Sequence, residues 1–219
     1  MNDRVEIIAS RAEEVSVRGV LHHPTSPSEG ALVLTHGAGS NCNAPLLISL
    51  AEAFSEAGTT VLRCDLPFRQ SRPHGPPPRG SAERDQQGLR AAVAFMKKQV
   101  PGRVLLGGHS YGGRQASMLA AAEPELVGKL LLLSYPLHPP QRLSELRTGH
   151  FTSLHTPALF VHGTKDGFGS IEEMMSALKL IPARTELIPV TNTGHELVTK
   201  RNRDEISQRI ATAFLLFAK

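Results

Sequence analysis

Val104-Leu-Leu-Gly-Gly-His-Ser-Tyr-Gly-Gly113 decides how the rest of the chain is read. Val104 to Leu106 are apolar and read as a short buried strand, and the alanine-rich run from Arg114 to Ala122 reads as a helix. Between them lies Gly108-His-Ser-Tyr-Gly112. A serine with glycine two places before and two places after it fits a tight strand-to-helix turn whose apex carries the hydroxyl into open space. Small residues are needed at both flanks because strand and helix converge there, and a β-carbon on either would clash.

The same alternation continues to both sides. Ala31 to Leu34, Thr60 to Arg63, Gly128 to Ser134, Ala158 to Val161 and Thr185 to Val190 read as strands. Four consecutive leucines in the third of these argue for burial on both faces of a parallel sheet. Leu47, Leu50, Ala51 and Phe54 recur at helical spacing behind Pro45, and Gly58 stops that helix. Helices are also expected over 81–100, from Ser170 to about Leu180 behind a capping box, and at the end, where Ile206, Ile210, Phe214 and Phe217 share a stripe. Val5 to Ser10 and Val15 to Leu21 form an antiparallel opening hairpin, and Pro24 to Gly30 connects it to the rest. Arg69 to Gly80 is too broken by proline for helix or central strand and is expected to be a surface loop. The outcome is one α/β domain over residues 1–219, with a mainly parallel sheet of about seven to eight strands and helices on both faces.

Composition narrows the class. With 40% hydrophobic and 20% charged residues, the 219-residue chain can fill a sizeable core. Two cysteines, Cys42 and Cys64, cannot make a disulfide framework, and no Cys/His spacing marks a metal site. The opening residues carry no apolar core of signal-peptide length, and no apolar run is long enough to span a bilayer, so a cytoplasmic protein without membrane contact is expected. Basic and acidic residues number 24 and 20 and are mixed along the chain, which makes nucleic acid an unlikely partner despite the net charge of +4.

In parallel sheets ligands bind beyond the carboxyl ends of the strands. His36-Gly37-Ala38-Gly39, Ser110, Asp166 and His195 all sit at such ends. A serine hydroxyl needs a base to become a nucleophile. His195, on the loop after the last strand, is the base, and Asp166, after the preceding strand, orients it. Ser, Asp and His then follow in the chain order of one known arrangement of this chemistry. The backbone amide of Tyr111 and that of Ala38 or Gly39 are the expected donors to a developing oxyanion. His36 is expected to brace its loop, and His109 to pack. Gly37-Ala-Gly39 also imitates the start of a dinucleotide fingerprint, but Cys42 stands where the third glycine belongs. Arg69 and Arg72 leave a strand at its carboxyl end, so they are candidates for substrate binding at the site mouth, although solvated surface is the plainer reading.

Together, His36-Gly-Ala-Gly39, Gly108-His-Ser-Tyr-Gly112, Gly163-Thr-Lys-Asp166 and Gly194-His195 resemble the α/β-hydrolase superfamily over nearly the whole chain. Within it the chain looks like the small dienelactone-hydrolase-like group. It is also similar to the α/β-hydrolase-like domain of a histone-acetyltransferase complex subunit and its testis-expressed relative. Dienelactone hydrolases proper use a cysteine nucleophile, whereas position 110 is serine, so the resemblance implies a carboxyl ester or thioester substrate. It implies no cofactor and no metal. Members of the superfamily commonly insert a lid of several helices where this chain has only the short segment 134–157, so the site should be open, with no large lid. The histone-acetyltransferase relative implies the alternative of an interaction module with little or no activity.

Overall fold

The structure, a computed structural model, describes residues 2–8, 16–25, 30–139 and 141–219. The end of the expected first strand, the start of the second (Val15) and most of the connector from Pro24 to Gly30 lie outside them. Among the described residues eight strands run β1 Asn2–Ile8, β2 Ser16–His22, β3 Ala31–Thr35, β4 Thr60–Cys64, β5 Val104–His109, β6 Leu130–Leu133, β7 Ala158–Gly163 and β8 Thr185–Val190. Six helices run α1 Pro45–Glu56, α2 Pro67–Ser71, α3 Ala82–Gln99, α4 Tyr111–Ala122, α5 Ile171–Leu178 and α6 Arg203–Ala218. All eight strands form one sheet in the order β1-β2-β4-β3-β5-β6-β7-β8. The β1–β2 and β2–β4 pairs are antiparallel, and every other pair is parallel.

The period-2 alternation of each strand divides the core into two layers. Val33, Leu106, Leu132 and Phe160 point to one face and pack with α3, α4 and α5. Leu32, Leu105, Leu131 and Leu159 point to the other and meet α1 and α6. Each fully buried leucine adds about 1.5–3 kcal/mol of transfer free energy. The predicted helical stripes are the buried ones: Leu47, Leu50, Ala51 and Phe54 in α1, and Ile206, Ile210, Phe214 and Phe217 in α6. The Ser170 capping box is complete, with Ser170 Oγ accepting from the Glu173 amide and Glu173 accepting from the Ser170 amide.

One expectation is corrected. The stretch expected as a surface loop from Arg69 begins inside a helical turn, α2, for which Pro67 supplies the preset φ of a first position. Its Arg69 is buried rather than solvated.

Strand order also places the site. α1 crosses one face from β3 to β4, and α3 returns across the other face from β4 to β5, so the connections leaving β3 and β5 run in opposite directions along the sheet. A crevice opens where neighbouring connections leave in opposite directions. There Thr35 of β3 lies in register with Gly108 of β5, which sets the His36 loop beside Ser110. No helix among the described residues is long and apolar enough to cross a membrane.

Candidate active site

Ser110 sits at φ 51°, ψ −117°, in the sharp turn between β5 and α4. A side-chain-bearing residue in that region costs on the order of 1–3 kcal/mol and persists only where its surroundings enforce it. Here the Ser110 amide donates to Leu133 O (2.8 Å), and its carbonyl accepts from the Arg114 amide (3.0 Å). The flanking glycines are required because strand and helix converge, as expected from their spacing. A β-carbon on Gly108 would stand 2.6 Å from the Gly112 carbonyl carbon. One on Gly112 would meet His36 O at 2.5 Å, so this glycine also admits the neighbouring loop.

The structure brings the three predicted side chains into one hydrogen-bonded line. His195 Nε2 lies 2.8 Å from Ser110 Oγ, and His195 Nδ1 lies 2.9 Å from Asp166 Oδ2. An ionised carboxylate can only accept, so Nδ1 carries the proton and Nε2 turns its lone pair to the serine hydroxyl. Asp166 is fully buried at the end of β7 and also accepts from the Phe168 amide (2.9 Å). Burial alone would raise its carboxyl pKa, but the His195 ring and the Phe168 amide outweigh it and hold the group below its ordinary value.

His195 follows β8, at the far edge of the sheet, and its loop must pass the ends of β7 and β6 to reach β5. Gly163 makes that crossing possible, since a β-carbon there would stand 2.5 Å from both Thr193 O and Gly194 O. The loop is then tied down by the Lys165 amide to Thr193 O (2.8 Å) and by His109 Nε2, which donates to His195 O (2.8 Å). The His109 ring lies 5.2 Å from the His195 ring, and the Phe168 ring lies 4.3 Å from it. Burial pushes the His109 pKa down, so its ring stays neutral beside His195. His109 thus positions the His195 loop, beyond the packing role expected of it. Its place inside the Gly-x-Ser-x-Gly motif was the one available signal.

His36 braces its loop as expected: Nε2 accepts from the Leu66 amide (3.1 Å), and Nδ1 lies 2.8 Å from Gly37 O. Ala38 and Gly39 line the same cavity as Ser110. A β-carbon on Gly37 would come within 3.4 Å of Ser110 Cβ, whereas one on Gly39 would meet nothing within 4 Å, so Gly37 is where loop and turn touch. Tyr111, just after the serine, is anchored from its ring end. Its hydroxyl donates to Asp85 Oδ2 (2.7 Å), and Asp85 Oδ1 accepts from the Phe68 amide (3.0 Å). Asp65, at the end of β4, accepts from the Cys42 amide (2.7 Å).

The expectation for Arg69 and Arg72 is corrected. Arg69 points inward and donates to the carbonyls of Ala38 (2.6 Å), Gly75 (2.9 Å) and Arg72 (2.9 Å). It staples the Ala38 loop to the proline-rich segment. Neither arginine lines the cavity at Ser110.

That cavity, about 650 Å³, opens from Ser110 and His195 between the start of α1 and residues 196–203. Leu46, Leu47 and Val198 give it an apolar wall, and Lys200 and Arg203 stand on its rim. Among the described residues no group of three or more His, Cys, Asp or Glu gathers in a way that could hold a metal ion. Both cysteines are buried free thiols, and burial pushes Cys42 up to about 12.

Residues 28–216 match the family described as alpha/beta hydrolase domain. Among solved structures, the chain is similar to the dienelactone hydrolase from Anabaena variabilis, with a TM-score of 0.77 at 20% identity, covering 99% of this chain and 97% of that one. Est1E from Butyrivibrio proteoclasticus gives 0.79 at 17% identity, covering 99% of both chains. XC6422 from Xanthomonas campestris, described as a serine hydrolase without a lid, gives 0.75 at 16%, covering 99% of this chain and 94% of that one. At these identities the likeness is one of fold.

Proposed function

The chain belongs to the alpha/beta hydrolase domain family, and from that premise we propose that it is a serine hydrolase cleaving a carboxyl ester or thioester. One observation carries this reading: the unbroken line Ser110 Oγ, His195 Nε2, His195 Nδ1, Asp166 Oδ2, with steps of 2.8 and 2.9 Å across its two hydrogen bonds.

Ser110 Oγ attacks the acyl carbon while His195 Nε2 takes its proton, and Asp166 stabilises the imidazolium that results. The amides of Tyr111 and of Ala38 or Gly39 receive the negative charge on the carbonyl oxygen. His195 then gives its proton to the departing alkoxide or thiolate, leaving an acyl-enzyme. Water, deprotonated by the same imidazole, attacks that ester. The second tetrahedral intermediate collapses, His195 returns the proton to Ser110, and the acid leaves. No step needs a cofactor.

The wall of Leu46, Leu47 and Val198 suits a small apolar portion of the substrate, and the open mouth suits one that protrudes. The single-domain arrangement over 1–219 and a reducing, cytoplasmic setting for Cys42 and Cys64 belong to the same reading. A panel of p-nitrophenyl esters and acyl thioesters tests it, run on wild type and Ser110→Ala. Turnover of at least one member should fall by about 10⁶ in the variant. Equal rates in both would reject the assignment, and turnover of none would favour an interaction module built on the same fold.

A further inference from the structure

Away from Ser110, the 134–157 connector builds a second cavity of about 560 Å³ against α4. Three guanidinium groups line it: Arg114 from the first turn of α4, and Arg142 and Arg147 from the connector. Glu145 is the only carboxylate in its lining, and it pairs with Arg142 at 3.1 Å on the exposed side. Arg114 and Arg147 appear in none of the ion pairs among the described residues. Arg114 Nε is buried and has no hydrogen-bond partner. The cavity therefore carries two positive charges in excess.

The backbone around these charges is fixed. The Tyr135 hydroxyl donates to Arg147 O (2.6 Å), and the Arg147 amide donates to Leu137 O (2.8 Å). Ser117 Oγ donates to Arg114 O (2.9 Å), and His150 Nε2 lies 2.8 Å from the same Ser117 oxygen. Burial, and then the charge of Arg114, pushes the His150 pKa down to about 4, so the imidazole is neutral and donates through Nε2. Ser117 and His150 thus serve as a brace rather than as a nucleophile and base. Like charges held together in a partly buried site repel one another, and a bound anion removes that cost. Planar guanidinium forks match the oxygens of a tetrahedral anion, and a phosphate monoester carries about two negative charges at neutral pH. Met118 and the half-exposed Leu146 give the cavity an apolar side for an organic substituent.

We propose that this cavity is a binding site for a phosphate monoester group, gripped by Arg114 and Arg147 with Arg142 at the rim. It does not rest on the chemistry assigned to Ser110.

Calorimetric titration of the full chain with inorganic phosphate and with phenyl phosphate, at an ionic strength fixed with sodium chloride, tests the site. Both probes should bind. Phenyl phosphate should bind more tightly, because Met118 and Leu146 contact its ring. Arg147→Gln should weaken both about tenfold or more, the loss expected for a charge-assisted contact. Glu145→Gln alters only an exposed side chain and should fold normally; removing the competing carboxylate should tighten phosphate several-fold. No heat beyond that of chloride, or unchanged affinity in Arg147→Gln, would overturn the site. So would weaker binding in Glu145→Gln. Equal affinity for the two probes would overturn the assignment to a monoester.

Discussion

Replacing Asp166 with asparagine leaves shape nearly intact and changes only where protons sit. The Phe168 amide, 2.9 Å from Oδ1, requires an acceptor there, so the new amide must turn its oxygen to Phe168 and its NH₂ to His195 Nδ1. His162 offers no way out, because its Nε2 hydrogen is given to Gly169 O (2.8 Å) and the ring stands 3.7 Å from the carboxylate. Facing a donor, His195 Nδ1 must accept, and its proton moves to Nε2. Nε2 then presents a hydrogen to Ser110 Oγ in place of a lone pair, and the base is lost. The matching change in a serine protease lowers kcat by about 10⁴, equivalent to about 5 kcal/mol of transition-state stabilisation, and the same order is expected here. Steady-state hydrolysis of p-nitrophenyl acetate at pH 7.5 gives the number, and a thermal melt of the variant shows that the fold persists. A folded Asp166→Asn protein within tenfold of wild-type kcat would refute the tautomer argument.

Three further outcomes are expected. Arg69→Met should release the Ala38 loop and lower kcat by up to about 10², the scale of one lost oxyanion donor, with KM little changed; a raised KM at constant kcat would return Arg69 to substrate binding. Gly112→Ala, whose β-carbon would meet His36 O at 2.5 Å, should cost about 1–3 kcal/mol in urea unfolding, while Gly39→Ala, with nothing within 4 Å, should stay within about 0.5 kcal/mol of wild type. Burial lowers the pKa values of His22, His36, His109, His150 and His162, to about 4 for His22 and His150. Below pH 6.5 the unfolded chain therefore binds protons that the folded chain refuses, so stability should fall as the pH drops toward 4, by up to about 1.4 kcal/mol per pH unit for each such histidine. Asp166, with its lowered pKa, adds its own loss as the pH falls through the ordinary carboxylate value toward its lower folded one. Equal urea midpoints at pH 7.5 and 5.5 would contradict this.

The legible parts of the molecule are those in which a residue type has one physical use. Apolar residues at alternating or helical spacing mark core: leucines place β3, β5, β6, β7 and α1, and the stripe of Ile206, Ile210, Phe214 and Phe217 places α6. Gly108 and Gly112 around a serine mark a close strand–helix approach, and the strand ends put Ser110, Asp166 and His195 on one rim. The parts that escaped depend on partners without side-chain identity. Arg69 spends its charge on three backbone carbonyls, which no sequence pattern labels, so a proline-rich arginine segment reads as solvated surface. His109 acts through the carbonyl of His195, 86 positions away. Gly163 looks like an ordinary strand-end glycine until the crossing of the His195 loop is seen. The cavity between α1 and residues 196–203 exists because α1 and α6 share one face of the sheet, a fact of topology.

The proposed hydrolase activity requires Ser110 to be a nucleophile poised by His195. Intact-mass spectrometry after incubation with a fluorophosphonate tests it most directly. Wild type should gain one adduct, mapping to Ser110 on digestion, and both Ser110→Ala and His195→Ala should gain none on the same timescale. An unlabelled wild type, or an adduct that persists when Ser110 is alanine, would contradict the account.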